Sequence, residues 1–138
     1  MFPAGFYPSG VWALFILFTF SYLVIYIKYP RFRVVRWRTI FGLYYAANFL
    51  DSYSTWLIAD RFGFEYEQNQ GVLSLMYAGW HYFALVKLVF LPAIAAVSLI
   101  VIYRYVKPAI ALFLGTTATL FIAGINNIVL YIRLLLNS

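Results

Sequence analysis

Four long apolar stretches make up most of this chain, and they limit what it can fold into. They cover residues 11–27, 37–59, 80–103 and 108–136. A helix needs about 20 mostly apolar residues to cross the hydrocarbon core of a bilayer, so each stretch is a candidate transmembrane helix. The 138 residues are 65% hydrophobic and 10% charged, whereas a soluble domain carries about 25% charged residues.

The size of the chain strengthens this interpretation. A soluble fold this small could not bury so many apolar side chains, because a small domain leaves much of its surface exposed. The sequence therefore predicts an all-α integral membrane protein with a single domain over residues 1–138. We expect a transmembrane four-helix bundle, with a three-helix core and an added N-terminal helix. Residues 1–10 lack the Lys and Arg of a signal peptide, so we expect the first helix to be retained.

The charged residues outside the stretches predict an orientation. The first and third links contain seven bases: Lys28, Arg31, Arg33, Arg36, Arg38, Arg104 and Lys107. The middle link contains Asp60, Arg61, Glu65 and Glu67. Under the positive-inside rule, residues 28–38 and 104–107 face the cytoplasm of a cell-membrane protein. Both termini and residues 60–79 then lie outside. The net charge of +6 is thus a topology signal, and we expect no nucleic-acid partner.

Aromatic residues at the ends of the stretches agree with a membrane setting. Tyr and Trp are enriched at the two membrane–water interfaces of transmembrane proteins. The residues in such positions are Tyr29, Trp37, Trp80, Tyr82, Tyr103 and Tyr105.

Polar residues interrupt three of the apolar stretches at similar depths. They are Asn48, Asp51, Ser52 and Thr55 in the second stretch, Lys87 in the third, and Asn126 and Asn127 in the fourth. At 1.5 Å per residue, Asp51 lies about 12 Å and Lys87 about 10 Å inside the outer ends of their helices. An isolated charge at a helix centre costs about 2.5–3.5 kcal/mol. We therefore expect Asp51 and Lys87 to pair, with the amides around them.

This polar cluster has two interpretations. In the first, it fixes three helices in register and has no further role. In the second, it binds a proton, an ion or a ligand, because ionisable residues inside a membrane commonly mark such sites. Lys87 could also extend outward to the membrane interface instead of pairing with Asp51.

Other side chains suggest contacts and a bend. Small residues recur every four positions at Gly115, Thr119 and Ala123, and again at Gly42 and Ala46. Such spacing lets helices approach closely. Pro92 removes an N–H from the third stretch, which should free the carbonyl of Leu88 and kink the helix.

Possible metal ligands lie close to the predicted outer surface, at Glu65, Glu67, Asn69 and His81. Metal identity depends on geometry that a loop sequence does not fix. We interpret the histidine as an interfacial residue and the two glutamates as a solvated loop. The chain has no cysteine, which excludes disulfides and thiolate sites. No histidine-pair or nucleophile motif occurs either, so we expect no catalytic residue, metal or cofactor.

The order of these residues resembles that of a known family. The pattern is Asn48-x-x-Asp51-x-x-x-Thr55, then Glu67-x-Asn69, then Lys87 in an apolar helix and Asn127 in the last helix. It is similar to a family of small prokaryotic membrane proteins known mainly as a domain of unknown function. The resemblance covers about residues 40–135, but the family's proline after the loop asparagine is Gln70 here. It implies that Asn48, Asp51, Glu67, Asn69, Lys87 and Asn127 form one site or one structural lock.

The sequence favours one function over two others. We expect a non-catalytic accessory subunit of a larger integral-membrane complex, such as a respiratory complex or a membrane monooxygenase. Its partners would be other membrane subunits and the lipid bilayer. The alternative is a small transporter-like protein that binds an ion or a proton at Asp51 and Lys87. A membrane enzyme ranks last, because the polar residues are too few.

Overall fold

The computed structural model describes residues 9–29, 36–67 and 69–138, and in these ranges the chain is helical with no strand. The helices are α1 (Ser9–Lys28), α2 (Trp37–Phe62), α3 (Gln70–Ala78), α4 (Trp80–Tyr105) and α5 (Ile110–Asn137). Short 3₁₀ turns, Phe64–Tyr66 and Lys107–Ala109, precede α3 and α5. The predicted all-α class is confirmed. Arg31 and Arg33 of the first link, and position 68 of the middle link, lie outside the described residues.

Three helical segments of the described ranges are long and apolar enough to cross a membrane. They are Gly10–Lys28, Trp80–Tyr105 and Lys107–Asn137. Helix α2 has 26 residues, which is long enough, but it is less apolar than the other long helices. These lengths and compositions support a membrane location for the chain.

Helix α5 lies between α1 and α2. Its main packing is against these two helices, whereas α4 packs chiefly against α2. Two glycines mark the closest approaches. Gly115 lies against Thr19 of α1, and a Cβ atom at Gly124 would lie 2.8 Å from Leu50 Cγ and 2.9 Å from the backbone nitrogen of Asp51. Since only glycine fits such spacing, these two positions fix the lateral distances within the bundle.

The two predicted small-residue stripes differ in their use. In the first, Gly115 and Thr119 are buried and Ala123 is half-buried. In the second, Gly42 and Ala46 are exposed, and nothing lies within 4 Å of a Cβ atom at Gly42. The prediction of a close approach there is wrong for contacts within this chain, because α2 packs through a neighbouring face. The buried residues of that face are Ile40, Tyr44, Ala47 and Asn48.

A hydrophobic cluster joins α2, α4 and α5 at the end where the first and third links lie. Its buried members are Ile40, Tyr44, Leu99, Ile110, Phe113 and Leu114. The rings of Tyr44 and Phe113 are 4.9 Å apart between centroids, and Leu99 is fully buried. Lipid tails are as apolar as these side chains, so close van der Waals packing, rather than removal from water, stabilises such a contact in a bilayer.

The predicted outer loop, residues 60–79, contains more structure than expected. Helix α2 continues to Phe62, and the nine-residue helix α3 follows after a 3₁₀ turn. Asn69 caps α3, since its Oδ1 accepts hydrogen bonds from the backbone nitrogens of Gly71 at 3.0 Å and Val72 at 3.3 Å. Such a cap satisfies backbone donors that the first helical turn leaves unpaired. This segment therefore contains a capped helix that the sequence analysis did not predict.

Helix α3 is held against the ends of α2 and α4 by an apolar face. Met76 is 3% exposed and packs with Ala59 and Phe83. Gly79, at a φ of 129°, then turns the chain from α3 into α4. Few residues other than glycine adopt this conformation, so Gly79 sets the angle between the two helices.

Candidate functional site

Asp51 of α2 and Lys87 of α4 are brought together as an ion pair. Lys87 Nζ donates a hydrogen bond to Asp51 Oδ2 at 3.1 Å. The side chains are 12% exposed for Lys87 and 14% exposed for Asp51. Lys87 therefore points at its partner instead of extending along α4 to the helix end.

The backbone of α4 changes register at the same place. Residues Val86–Phe90 form a π-helical turn, in which the N–H of Leu91 donates to the carbonyl of Val86. The next donor would come from position 92, but Pro92 has no N–H. An N–H at position 92 would donate a hydrogen bond to the carbonyl of Lys87 in a π-helix, and to the carbonyl of Leu88 in an α-helix. The missing donor therefore leaves one of these two carbonyls in need of a partner from outside α4.

Helix α2 supplies partners to both carbonyls. Asn48 Nδ2 donates to the carbonyl oxygen of Lys87 at 2.6 Å, and the Tyr45 hydroxyl donates to that of Leu88 at 3.4 Å. Asn48 is only 2% exposed. Because an unpaired backbone group in hydrocarbon costs several kcal/mol, these bonds stabilise the turn. The carbonyl of Leu88 was predicted to be free from Pro92 alone, whereas the role of Lys87's own carbonyl was missed.

Helix α2 reaches α5 through a further polar contact. Asn127 Nδ2 donates to Thr55 Oγ1 at 3.1 Å. Ser52 is satisfied within α2, since its hydroxyl donates to the carbonyl of Asn48 at 2.7 Å. Asn126 is half-buried and takes no part in these contacts. The predicted polar face of α2 thus connects to α4 through Asn48 and Asp51, and to α5 through Thr55.

The possible metal ligands near the predicted outer surface lie apart from the polar cluster. Glu67 Oε1 accepts a hydrogen bond from the backbone nitrogen of Asn69 at 2.6 Å, beside the cap of α3. Glu65 is exposed, and so is His81, whose ring lies 4.2 Å from that of Tyr82 between centroids. Among the residues that the structure describes, no group of three or more His, Cys, Asp or Glu side chains could hold a metal ion.

Two cavities are found among the described residues, and neither is lined by Asp51 or Lys87. The larger, of about 530 Å³, lies between α3 and the end of α2, with Phe62, Gly63, Phe64, Glu65, Glu67, Leu73 and Tyr77 around it. The smaller, of about 240 Å³, is an apolar groove between α2 and α4. It is lined by Phe49, Ser52, Tyr53, Trp56, Trp80, Phe83, Ala84 and Leu88. The spacing of Phe49, Tyr53 and Trp56 on one face of α2 could have predicted this groove.

The polar atoms of the cluster are mostly engaged with one another. Asp51 binds the ammonium of Lys87, and the amide nitrogens of Asn48 and Asn127 each have an acceptor on another helix. Such an arrangement can hold three helices together, and it provides no nucleophile beside a free base.

Comparison with known proteins finds no matching family model, no matching curated protein and no matching solved structure.

Proposed function

We propose that this protein is a non-catalytic accessory subunit of a larger integral-membrane complex. The observation that carries the proposal is the internal pairing of the polar cluster. The carboxylate of Asp51, the ammonium of Lys87 and the amide of Asn48 are all used in contacts between α2 and α4. A subunit built to support other chains needs a rigid bundle, and these contacts provide one.

The outer surface of α1 supports the same proposal. None of the residues in its most apolar window is buried, and it is attached to the bundle mainly through α5. Trp12, Ile16 and Phe20 recur every four residues and are 63%, 63% and 66% exposed. A helix held on one side leaves a long apolar face, which a helix of another subunit can cover.

We further propose that α2 also spans the membrane, giving four spans. Its lower hydropathy comes partly from Asn48, Asp51 and Thr55, which face α4 and α5 instead of lipid. On its outer side Phe49 and Tyr53 are about half exposed and stack with their ring planes 3° apart. A helix whose polar groups are paired inside the protein can cross a bilayer despite its composition.

The charge of the links supports the orientation. Residues 28–38 and 104–107 would face the cytoplasm, and both termini and residues 60–79 would lie outside. The chain has no cysteine, so single cysteines can test this directly. A cysteine at Glu65 should react with an impermeant thiol reagent in intact cells, whereas one at Lys107 should react only after the membrane is opened. The reverse pattern would overturn the orientation.

The alternative, a small protein that binds an ion or a proton, requires a polar path to Asp51. Neither described cavity includes Asp51 or Lys87 in its lining, and the lysine already neutralises the carboxylate. These contacts favour the accessory role.

Purification from native membranes in a mild detergent separates the two functions. An accessory subunit should copurify with other membrane chains in fixed stoichiometry, and its loss should lower the abundance of that complex. As a matched comparison, the double variant Asp51→Asn with Lys87→Met removes the charges and keeps the bulk of the side chains. It should still copurify with the same chains if the cluster is structural. Isolation of a homo-oligomer alone, with ion binding that this double variant abolishes, would refute the accessory role.

A further inference from the structure

Basic and acidic residues are separated along this chain. All four acidic residues lie between Asp51 and Glu67, while the ten bases extend from Lys28 to Arg133. The bases of the first and third links therefore have no acid near them in sequence. Within the described ranges, none of those bases forms an ion pair with an acid.

The fold gathers these bases at one end of the bundle. Trp37 at the start of α2 and Tyr103 near the end of α4 both pack on the hydrophobic cluster that contains Ile110. Tyr22 of α1 packs there too, six residues before Lys28. The described bases at this end, which we call the basic end, are Lys28, Arg36, Arg38, Arg104 and Lys107, and all of them are exposed.

Aromatic rings accompany three bases of the basic end. Arg38 Cζ lies 5.7 Å from the ring centroid of Trp37, and Arg104 Cζ lies 5.5 Å from that of Tyr105. Lys107 Nζ lies 5.9 Å from that of Tyr103. A ring beside a cation leaves its charge intact. Tyr and Trp also favour the depth of lipid headgroups, so these contacts present positive charge where phosphates lie.

The turn between α4 and α5 has the composition of a surface that enters the headgroup layer. Tyr105 is 70% exposed and Val106 is 54% exposed, and they stand between Arg104 and Lys107. Apolar side chains flanked by bases can enter the boundary between headgroups and acyl chains while the charges meet phosphate.

We propose that the basic end binds the phosphate of anionic phospholipids, with Arg104 and Lys107 as its principal contacts. Arginine forms paired hydrogen bonds to phosphate oxygens, and lysine acts as a compact point charge. The tyrosines beside them set the depth of the turn in the interface. This inference rests on the proposed membrane embedding, but it is independent of the accessory role.

Native mass spectrometry of the full chain in detergent micelles can test the proposal. The probes are dioleoyl phosphatidylglycerol, which is anionic, and dioleoyl phosphatidylcholine, which is zwitterionic. The wild-type protein should bind the anionic lipid in preference. The double variant Arg104→Gln with Lys107→Gln should lose about 25-fold of that preference, since each base near an anionic lipid surface contributes about fivefold.

A control of equal charge makes the test specific. The double variant Arg61→Gln with Arg133→Gln also removes two exposed bases. These lie near the C-terminal ends of α2 and α5, at the end of the bundle opposite to the basic end. It should keep the wild-type preference. So should Arg104→Lys with Lys107→Arg, which preserves the charge of the turn. Equal binding of both lipids by the wild type, or an equal loss in the Arg61 and Arg133 variant, would overturn the proposal.

An acidic segment of a partner protein is the competing ligand for the same charges. A photoreactive residue at Val106 distinguishes the two in native membranes. We expect adducts with phospholipid; a single discrete protein adduct in place of lipid would refute the proposal. Loss of lipid preference would leave copurification with partner chains unchanged, so its failure and that of the accessory role are separable.

Discussion

The ion pair between Asp51 and Lys87 gives the most direct test of the structural role of the polar cluster. Asp51→Asn would leave the Lys87 ammonium, which is 12% exposed, without its counter-charge. Removing one partner of a buried pair costs about 3–5 kcal/mol. Lysine can extend along its helix to the interface, which lowers the cost. We therefore expect Asp51→Asn to reduce the free energy of unfolding by about 2–3 kcal/mol.

The opposite single variant should be more harmful. Lys87→Met leaves the shorter Asp51 carboxylate, which is 14% exposed, without its counter-charge, and aspartate cannot extend to the interface. Lys87→Met keeps the bond from Asn48, because Asn48 donates to the backbone carbonyl of residue 87. We expect a loss of about 3–4 kcal/mol for Lys87→Met, but only about 1 kcal/mol for the double variant, in which neither charge is stranded.

Reversible unfolding in mixed micelles, with increasing sodium dodecyl sulfate and tryptophan fluorescence as the signal, measures these differences. The quantity of interest is the coupling free energy of the double-mutant cycle. We expect the double variant to be more stable than either single variant. If Asp51→Asn alone is neutral, or if the double variant loses the sum of the two single losses, the pair does not stabilise the bundle.

Two further predictions use the same unfolding measurement. Asn48→Leu should cost about 1–3 kcal/mol of unfolding free energy, because it leaves the carbonyl of residue 87 unpaired. Adding Pro92→Ala should recover part of that loss, because it restores a backbone N–H. An equal loss with and without Pro92→Ala would contradict the role given to the π turn. Gly124→Ala should cost about 1–3 kcal/mol, because its Cβ would lie 2.9 Å from the backbone nitrogen of Asp51. The matched Gly42→Ala should be neutral or stabilise α2 by about 0.5–1 kcal/mol, and equal effects at the two glycines would contradict the packing.

The sequence predicted the long helices well, because a transmembrane helix requires a long apolar run and such runs are easy to see. The segment 80–103 lies within α4, and 108–136 almost coincides with α5. The contact between Asp51 and Lys87 followed from their common depth and the cost of leaving either charge alone. Both predictions rest on large energy terms. The first is the preference of a long apolar run for the bilayer, and the second is the cost of an unpaired charge inside it.

The missed features depend on smaller energies or on the position of a neighbour. Helix α3 has nine residues and is set by the cap at Asn69, a signal easily overlooked just after the acidic residues. The π turn is stabilised by Asn48, which lies 39 residues from Lys87, so the local signal of Pro92 does not indicate where the carbonyl of Lys87 finds its partner. Likewise, Gly42 and Gly124 both lie between apolar residues in sequence, but of these two only Gly124 faces another helix of the chain. The face that a helix presents is a tertiary property.

The separation of Asp51 and Lys87 in the chain has a consequence for biogenesis. Lys87 is synthesised 36 residues after Asp51. At about 5–20 residues per second, a ribosome needs about 2–7 s to make that interval. During this time α2 has neither its counter-charge nor the carbonyl that Asn48 binds. If α2 spans the membrane as we propose, we expect it to reach its final position only after α4 has emerged, and the two helices to enter the bilayer as a pair.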